Sequence, residues 1–336
     1  MEKEVNEIVL DEIERNHWKT VGKRMLKDWR IYLMALPLIF FFICWRYLPM
    51  SGLLIAFKNY DGKSVIDSNW YGLVAFDKLM FGEFATANES FWKAFRNTFV
   101  LSFYGLCFGF PMPIILALLF SEIKNETYRS ILQVLTYLPK FVSLVVVTTL
   151  VKLLCKESSA FSGGGPITVL LQTLGVISEE TKLLYEPQYF RAIYHISGIW
   201  ETAGYGSIVY FAAILSISPT SYEAARMDGA SKWAQIRYVT FPGIASTLTI
   251  MLILEIGKLL TVGYEKVLLL YSDKTYETAD VISTFVMRIG GMGDTAAASI
   301  GKTIASAADL FNSIIAMLLV IGSNTIAKRV SSTSLY

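Results

Sequence analysis

Two ionisable side chains inside a long apolar segment are the residues of this chain most suited to chemistry. Glu255 and Lys258 lie three residues apart, so on a helix they would share one face and form an ion pair. At about 1.5 Å per residue they lie roughly 17 and 21 Å from Ile244, where the segment begins. A charge in apolar surroundings is costly and usually faces a cavity or another subunit. The pair therefore either lines the route of a polar solute or, as we favour, braces a helix contact by neutralising itself.

A further acidic side chain, Glu201, lies in another apolar segment between Trp200 and Tyr205. Sugar sites use aromatic rings for stacking and polar groups for hydroxyl bonding, and these three side chains provide both. An aromatic belt at the membrane surface explains Trp200 nearly as well. Further candidates for a solute path lie near the ends of two later apolar segments: Asn312 in the last, and Tyr264, Glu265 and Lys266 in the fifth. Of these residues we favour Trp200, Glu201 and Tyr264 as sugar contacts.

A short charged loop, Glu223-Ala-Ala-Arg-Met-Asp-Gly-Ala230, lies between two long apolar segments. Its alanines favour a helix, and Gly229 is suited to end that helix because glycine adopts backbone conformations that a β-carbon disfavours. Val239-Thr-Phe-Pro242 follows and leads into the next apolar segment. The pattern predicts a short helix and a turn just before the chain re-enters apolar surroundings.

The composition indicates what positions these residues. The chain of 336 residues is 54% hydrophobic and only 17% charged, with a mean hydropathy of +0.47, and is too apolar for a typical soluble protein. A spanning helix needs about 20 predominantly apolar residues. Six segments qualify: residues 31–50, 94–120, 131–154, 195–217, 244–271 and 310–326. They predict an all-α, multi-pass transmembrane bundle over residues 31–330, in which residues 218–243 form the loop that carries Glu223.

The basic residues predict the orientation of this bundle. Six spans put both termini and the Glu223 loop on one side, where Lys and Arg are denser than in the opposite loops; by the positive-inside rule that side is cytoplasmic. Residues 1–30 are too polar for a cleavable signal peptide and form a predicted cytoplasmic arm. Its basic residues beside Trp18 and Trp29 indicate either an amphipathic helix at the inner membrane surface or a solvated arm that only sets topology.

The sequence gives no support for catalysis or for nucleotide, metal or nucleic-acid binding. His17 and His195 are far apart, and the three cysteines show no metal-ligand spacing. The run Gly301-Lys302-Thr303 resembles the end of a phosphate-binding loop, but that motif requires glycine at position 296, where this chain has alanine. The net charge of +2 is too small to indicate a nucleic-acid partner.

The spacing from Glu223 to Pro242 resembles the EAA loop of permease subunits in binding-protein-dependent ABC importers. In that family the loop forms a cytoplasmic coupling helix that docks in a cleft of an ATPase dimer. The resemblance assigns this role to Glu223, Ala224, Ala225, Asp228, Gly229 and Pro242. It implies the type I ABC importer (MetI-like) permease fold. It also implies no cofactor on this chain, because the partner ATPase binds ATP and Mg²⁺.

A second resemblance, over about residues 30–336, is to a group of carbohydrate permeases. It rests on Tyr47-Leu-Pro-Met50, Gly52-Leu-Leu-Ile-Ala-Phe-Lys58, Gly263-Tyr-Glu-Lys-Val267, Ala279-Asp-Val-Ile-Ser-Thr284 and Leu310-Phe-Asn-Ser-Ile314. These segments resemble polysaccharide and rhamnogalacturonan-oligosaccharide importers of Gram-positive bacteria and, more distantly, maltose and alginate permeases. The resemblance implies an oligosaccharide permease in the bacterial cell membrane. Its implied partners are a sister permease in a heterodimer, an ABC ATPase dimer and an extracytoplasmic solute-binding lipoprotein.

Two alternatives belong to other classes of transporter. An ABC permease for a non-sugar solute would share the Glu223 loop, although not the segments around Met50 and Asp280. A secondary transporter would show inverted repeats and ion-coupling carboxylates, and the two halves of this sequence show no evident self-similarity.

Overall fold

The computed structural model describes residues 27–60, 64–82, 84, 90–158, 163–260, 262–291 and 299–330. Residues 1–26 of the predicted N-terminal arm lie outside the described residues. The chain divides into two compact units, residues 1–54 and 55–336. Helices make up most of the described chain, which confirms the all-α prediction.

The first unit consists mainly of one apolar helical segment. Helix α1 (Trp29–Phe41) continues through a π-helical turn, Phe42–Tyr47, into a 3₁₀ helix, Leu48–Phe57, whose last residues belong to the second unit. None of the α1 side chains is buried, although most of them are apolar. A helix that exposes apolar side chains all round suits a lipid environment.

The second unit contains the remaining helices and one short hairpin. Strands β1 (Lys58–Asn59) and β2 (Asn69–Trp70) pair antiparallel, with Lys58 opposite Trp70. The helices are α2 (Val74–Met80), α3 (Phe91–Tyr104), α4 (Pro111–Glu122), α5 (Glu126–Tyr137), α6 (Leu144–Leu154), α7 (Pro166–Thr173), α8 (Pro187–Leu215), α9 (Pro219–Met227), α10 (Lys232–Gln235), α11 (Phe241–Gly243), α12 (Ala245–Gly257), α13 (Tyr264–Leu270), α14 (Tyr276–Ala279), α15 (Ile282–Ile289) and α16 (Ser299–Val330). Gly105–Gly109 and Ile236–Thr240 are π-helical, and Leu138–Phe141 and Asp273–Thr275 are 3₁₀ turns.

The helices provide up to six membrane spans in the described chain. Three are single helices long and apolar enough to cross a bilayer: Trp29–Phe57, Phe91–Glu122 and Ile300–Lys328. Three more are bent pairs: Glu126–Phe141 with Leu144–Leu154 (99°), Pro187–Leu215 with Pro219–Met227 (70°), and Lys232–Gly243 with Ala245–Gly257 (69°). Each of the six segments predicted from hydropathy overlaps one of these helices or pairs.

The structure differs from the predicted segments at two places. The fifth predicted segment, residues 244–271, is broken, because α12 ends at Gly257 and α13 begins only at Tyr264. Gly257 favours the break because glycine is a poor helix former. The break was not predicted because the residues within it are largely apolar and keep the hydropathy of the segment high. The last helix begins at Ser299 rather than near residue 310, since its alanine-rich start favours a helix.

Helix α8 packs closely against its neighbours through glycines. A β-carbon at Gly204 would lie 2.0 Å from the carbonyl oxygen of Thr136 in α5, and one at Gly206 would lie 3.2 Å from Pro113 of α4. Small residues let helix backbones approach in this way. The packing fixes the position of Glu201, which lies one turn before Gly204 on the same helix.

A buried polar network joins α3, α8 and the segment around Asp280. The Asn97 amide donates to the carbonyl oxygens of Glu277 and Asp280, at 3.0 Å each, and its side-chain oxygen accepts from Arg191 at 3.0 Å. Arg288 donates two bonds to the Asp280 carboxylate, at 3.0 and 2.9 Å. Bidentate charged pairs of this kind are strong and geometrically specific. The Asp280 segment, conspicuous in the sequence, therefore serves as a structural joint.

Candidate functional site

The Glu223 loop folds as a short helix with a well-defined end. Helix α9 contains Glu223 and ends shortly before Gly229, whose φ is 75°. The Gly229 amide donates to the carbonyl of Arg226 at 3.0 Å, and the Ala230 amide donates to that of Ala225 at 2.9 Å. These two bonds form a Schellman cap, which glycine favours because it tolerates positive φ. The predicted helix and turn are confirmed.

Two polar contacts hold this loop to the rest of the second unit. Lys232 of α10 forms an ion pair with Glu122 at the end of α4. The hydroxyls of Tyr222 in α9 and Thr240, just before α11, lie 3.0 Å apart and share a hydrogen bond. The loop is thereby connected both to α4 and to the chain that enters α12.

The outer surface of the loop is exposed. Of the residues with a predicted coupling role, Ala225 is half-buried and the others are exposed: Glu223, Ala224, Asp228, Gly229 and Pro242. Three large apolar side chains beside them are also exposed: Met227 (88%), Trp233 (80%) and Tyr238 (71%). Sequence reasoning missed these three, although large apolar residues within a charged loop were a visible signal. A surface of this composition is typical of a protein interface.

The first cavity, of about 430 Å³, lies beside the π-helical turn Gly105–Gly109. It is also lined by α8 and by the end of α12 with the break that follows. Four of the predicted side chains meet in it: Glu201, Glu255, Lys258 and Lys266. π-helical turns within α-helices often occur at functional sites, so the position of this turn agrees with a role for the cavity.

The charges of the first cavity are paired. Glu255 and Lys258 lie 3.0 Å apart, so the predicted i,i+3 pair forms. Glu201 lies between two lysines, 3.5 Å from Lys266 and 3.8 Å from Lys140. The Glu201 and Lys266 side chains are only 13% and 11% exposed. The group of two lysines and one carboxylate has one positive charge in excess.

The wall beside Lys266 is aromatic. The Lys266 ammonium lies 5.3 Å from the centre of the Tyr194 ring, a cation–π contact. The rings of Tyr194 and His195 meet edge to face, with centroids 5.3 Å apart. The Nε2 atom of His195 is buried without a hydrogen-bond partner among the described residues. His195 and Lys140 were not predicted as site residues, because nothing in the sequence brings them near Glu201.

Trp200 and Tyr205, predicted with Glu201, do not line either cavity. They are 48% and 47% exposed, and the Tyr205 ring packs edge to face against Phe141, with centroids 5.9 Å apart. With 3.6 residues per turn, successive helical residues point about 100° apart, so Trp200 faces away from the side chain of Glu201. The structure separates the predicted trio, and Glu201 alone reaches the cavity.

The second cavity, of about 440 Å³, lies between the break after α12 and helices α15 and α16. It brings together Tyr264 and Asn312, which were predicted, and Asp309, which was not. Asn312 is 8% exposed, and its amide nitrogen donates to the Leu260 carbonyl at 2.8 Å. Its side-chain oxygen has no hydrogen-bond partner within the described part of the chain. Residues 262–263 line both cavities, so the two adjoin.

The run Gly301-Lys302-Thr303 lies inside α16 and has a structural role. The Thr303 hydroxyl donates to the Lys58 carbonyl at 3.0 Å and accepts from the Tyr60 amide at 3.2 Å. Among the residues that the structure describes, no three His, Cys, Asp or Glu side chains form a group that could hold a metal ion.

The chain is similar to known transport proteins over nearly its whole length. Residues 109–331 match the family described as binding-protein-dependent transport system inner membrane component. Protein LplB of Bacillus subtilis (strain 168) is 33% identical over 320 residues, which cover 95% of this chain and 94% of LplB. The polygalacturonan/rhamnogalacturonan transport system permease protein YteP of the same organism is 33% identical over 315 residues, which cover 93% and 92% of the two chains.

A solved structure gives the same result. A chain in the crystal structure of a bacterial alginate ABC transporter, in complex with an alginate pentasaccharide-bound periplasmic protein, is 38% identical with a TM-score of 0.81. The match covers 93% of this chain and 99% of that one, and it confirms the predicted permease fold. The chain therefore belongs to the family of binding-protein-dependent transport system inner membrane components: it is a membrane-embedded permease subunit of an ABC importer, and not an enzyme.

Proposed function

We propose that this permease conducts an oligosaccharide across the bacterial cell membrane. YteP and the alginate transporter are named for polysaccharides, and their likeness to this chain extends over more than nine-tenths of it. The first cavity supports the proposal, because a largely apolar wall that also carries charged and aromatic side chains suits a solute with both hydroxyl groups and apolar ring faces. A non-sugar solute is the alternative, and uptake assays distinguish the two.

The exposed, capped helix α9 is the observation that supports coupling to an ATPase most directly. It presents Glu223 and the apolar side chains of Met227 and Trp233 outward, next to two membrane segments. In our proposal this surface docks into a cleft of a partner ATPase dimer, which binds ATP and Mg²⁺, while this chain holds no cofactor. Closure of the dimer would move α9 and turn the cavity outward, and hydrolysis would reset it.

A sister permease would complete the path. Lys258 and Lys140, beside the first cavity, keep 66% and 42% of their side chains exposed on this chain. An exposed lysine within a bilayer costs about 2.5–3.5 kcal/mol on insertion scales. A second permease chain that covers this face would shield both lysines from lipid and close the other half of the cavity.

The proposed topology places both termini and the α9 loop in the cytoplasm. An extracytoplasmic solute-binding lipoprotein would deliver the oligosaccharide to the opposite side. The positive-inside distribution of Lys and Arg supports this orientation. Membership of an ABC family favours this mechanism over secondary transport.

Glycine substitutions with matched backbone geometry test the coupling role. Gly229 and Gly175 have φ values of 75° and 69°, and a β-carbon at either position meets nothing within 4 Å. Valine at either site imposes the same left-handed strain, at least about 1–2 kcal/mol, but only Gly229 lies in the α9 loop. The complete importer is reconstituted in liposomes with Gly229→Val, Gly175→Val or Glu223→Ala, and oligosaccharide uptake and stimulated ATP hydrolysis are measured.

We expect Gly229→Val and Glu223→Ala to insert normally but to lose uptake and ATPase attachment, while Gly175→Val retains both. Normal stimulated hydrolysis in Gly229→Val would overturn the coupling role. In the wild-type importer, pectin- or alginate-derived oligosaccharides should be taken up in preference to amino acids or phosphate. Uptake of a non-sugar solute alone would overturn the carbohydrate proposal.

A further inference from the structure

The second cavity presents two hydrogen-bond acceptors for which the described residues supply no donor. The Asn312 amide oxygen is buried without a partner, and the Asp309 carboxylate, one helical turn earlier on α16, has no ion-pair partner within the described part of the chain. Both residues line the cavity. Asn312 is buried, whereas Asp309 is exposed on this chain, so its carboxylate is open to accept from an occupant. A buried acceptor such as the Asn312 oxygen is destabilised when it lacks a donor. Such groups persist where a ligand or ordered water supplies the missing donor.

The Asn312 side chain is fixed in an orientation that leaves its oxygen available. Its nitrogen is held by the Leu260 carbonyl at 2.8 Å, and Leu260 belongs to the break between α12 and α13. The amide therefore cannot turn its nitrogen toward the cavity without losing this bond. The oxygen is the atom left to interact with an occupant.

The rest of the lining favours an organic, hydroxylated occupant over a bare cation. Tyr264 contributes a phenol ring that is 43% exposed, and Ser313 contributes a hydroxyl. The volume of about 440 Å³ lies in the range of small-molecule sites, roughly 300–1,000 Å³. A water molecule takes only about 30 Å³, and a dehydrated ion would need oxygens converging on a much smaller space.

We propose that the second cavity is a binding subsite for a neutral sugar unit of the transported oligosaccharide. Asp309 and the Asn312 oxygen accept hydrogen bonds from its hydroxyls, and the Tyr264 ring packs against its apolar face. The carboxylate of Asp309 would repel an acidic sugar unit, so this subsite takes an uncharged unit. Because residues 262–263 line both cavities, the next unit of the same chain would reach the first cavity. This inference rests on the proposed oligosaccharide function.

Substitution of Asp309 by its isosteric amide provides the first test. Asp309→Asn keeps the shape but removes the strong charged acceptor, and Asp273→Asn, an exposed carboxylate outside both cavities, is the matched control. The probes are tetrasaccharides from rhamnogalacturonan, which contain neutral as well as acidic units, and from starch, which contain only neutral units, taken up by the complete importer in liposomes. A hydrogen bond to a charged group is worth about 1.5–3 kcal/mol. We therefore expect the KM for the transported probe to rise roughly tenfold to a hundredfold in Asp309→Asn and to stay unchanged in Asp273→Asn.

A protection experiment separates binding from folding. Ser313→Cys introduces a thiol into the second cavity, and its rate of modification by a small thiol reagent is measured with and without the probe, in a background where the native cysteines are replaced. Protection by the probe is expected. Unchanged KM in Asp309→Asn together with unprotected Ser313→Cys would overturn the subsite while uptake by the wild type upheld the proposed function. Failure of the wild type to take up any of the tetrasaccharides would count against both.

Discussion

The two cavities of this permease differ in whether their polar groups have partners. In the first, Glu201 and Glu255 are each within ion-pair distance of a lysine. In the second, Asp309 and the Asn312 oxygen have no such partner within the described chain. Paired charges hold a cavity in shape without a ligand. The buried Asn312 oxygen is stabilised only when water or an occupant donates to it, and the exposed Asp309 carboxylate remains open to accept from one. The difference indicates that the first cavity is largely preorganised and that the second depends on what it binds.

Removal of Glu201 should have the largest effect on stability. Glu201→Gln leaves Lys266, which is only 11% exposed, without its carboxylate. Breaking a buried ion pair on one side costs about 3–5 kcal/mol, so the free energy of unfolding of the importer in nanodiscs should fall by about 3 kcal/mol.

Addition of Lys266→Met to Glu201→Gln should recover part of that loss. The control Glu265→Gln, an exposed carboxylate on α13, should change stability by less than about 0.5 kcal/mol. A stable Glu201→Gln variant that no longer imports sugar would instead make Glu201 a ligand-binding group, and the contrast between the cavities would disappear.

An intermediate effect is expected from Gly204→Ala. The new β-carbon would meet the Thr136 carbonyl oxygen at 2.0 Å, which forces α5 and α8 apart, and overpacking of this kind costs about 1–3 kcal/mol. Thermal unfolding of the purified importer measures the loss. Gly109→Ala, in the wall of the first cavity where a β-carbon meets nothing within 4 Å, should unfold like the wild type. Equal stability of both variants would contradict the close packing of α8.

The smallest effect on stability is expected from the Glu255–Lys258 pair. Its side chains are 39% and 66% exposed, and exposed pairs contribute about 0–1 kcal/mol. A double-mutant cycle with Glu255→Gln and Lys258→Met should give a coupling energy below about 1 kcal/mol. A coupling of several kcal/mol would mean that the pair is buried in the assembled importer, as the proposed sister permease would require.

Much of the fold was accessible from the sequence, because apolar runs and helix caps act locally. The six apolar segments correspond to the observed helices, and the glycine that caps α9 was recognised from its spacing. The break after Gly257 was not, since hydropathy does not register a change of backbone conformation among residues that stay apolar. The start of α16 was missed for a related reason: alanine and serine favour or permit a helix but have a low hydropathy, so this stretch did not register as part of a membrane span.

The sites were less predictable, because they depend on contacts between distant parts of the chain. Glu201 and Lys266 were each predicted from their own segments, but nothing in the sequence showed that they pair, and Lys140 was not predicted as a site residue. Asp309 escaped notice because it lies one residue before Leu310, where the predicted last span begins. The search for charged residues within apolar segments therefore located the first cavity but missed Asp309 in the second.

The loop that contains α9 has a mechanical consequence that follows from its attachments. A load applied to a flexible loop is dissipated by rotation about its backbone dihedrals and does little work on the body that bears it. Here the Schellman cap at Gly229 closes one end of the helix, the Tyr222–Thr240 bond ties it to the chain that enters α12, and the Lys232–Glu122 pair ties the adjoining turn to α4. A force applied to α9 is therefore transmitted to α4 and α12 together. Movement of a partner bound to α9 would displace these helices and would not be absorbed by bending of the loop.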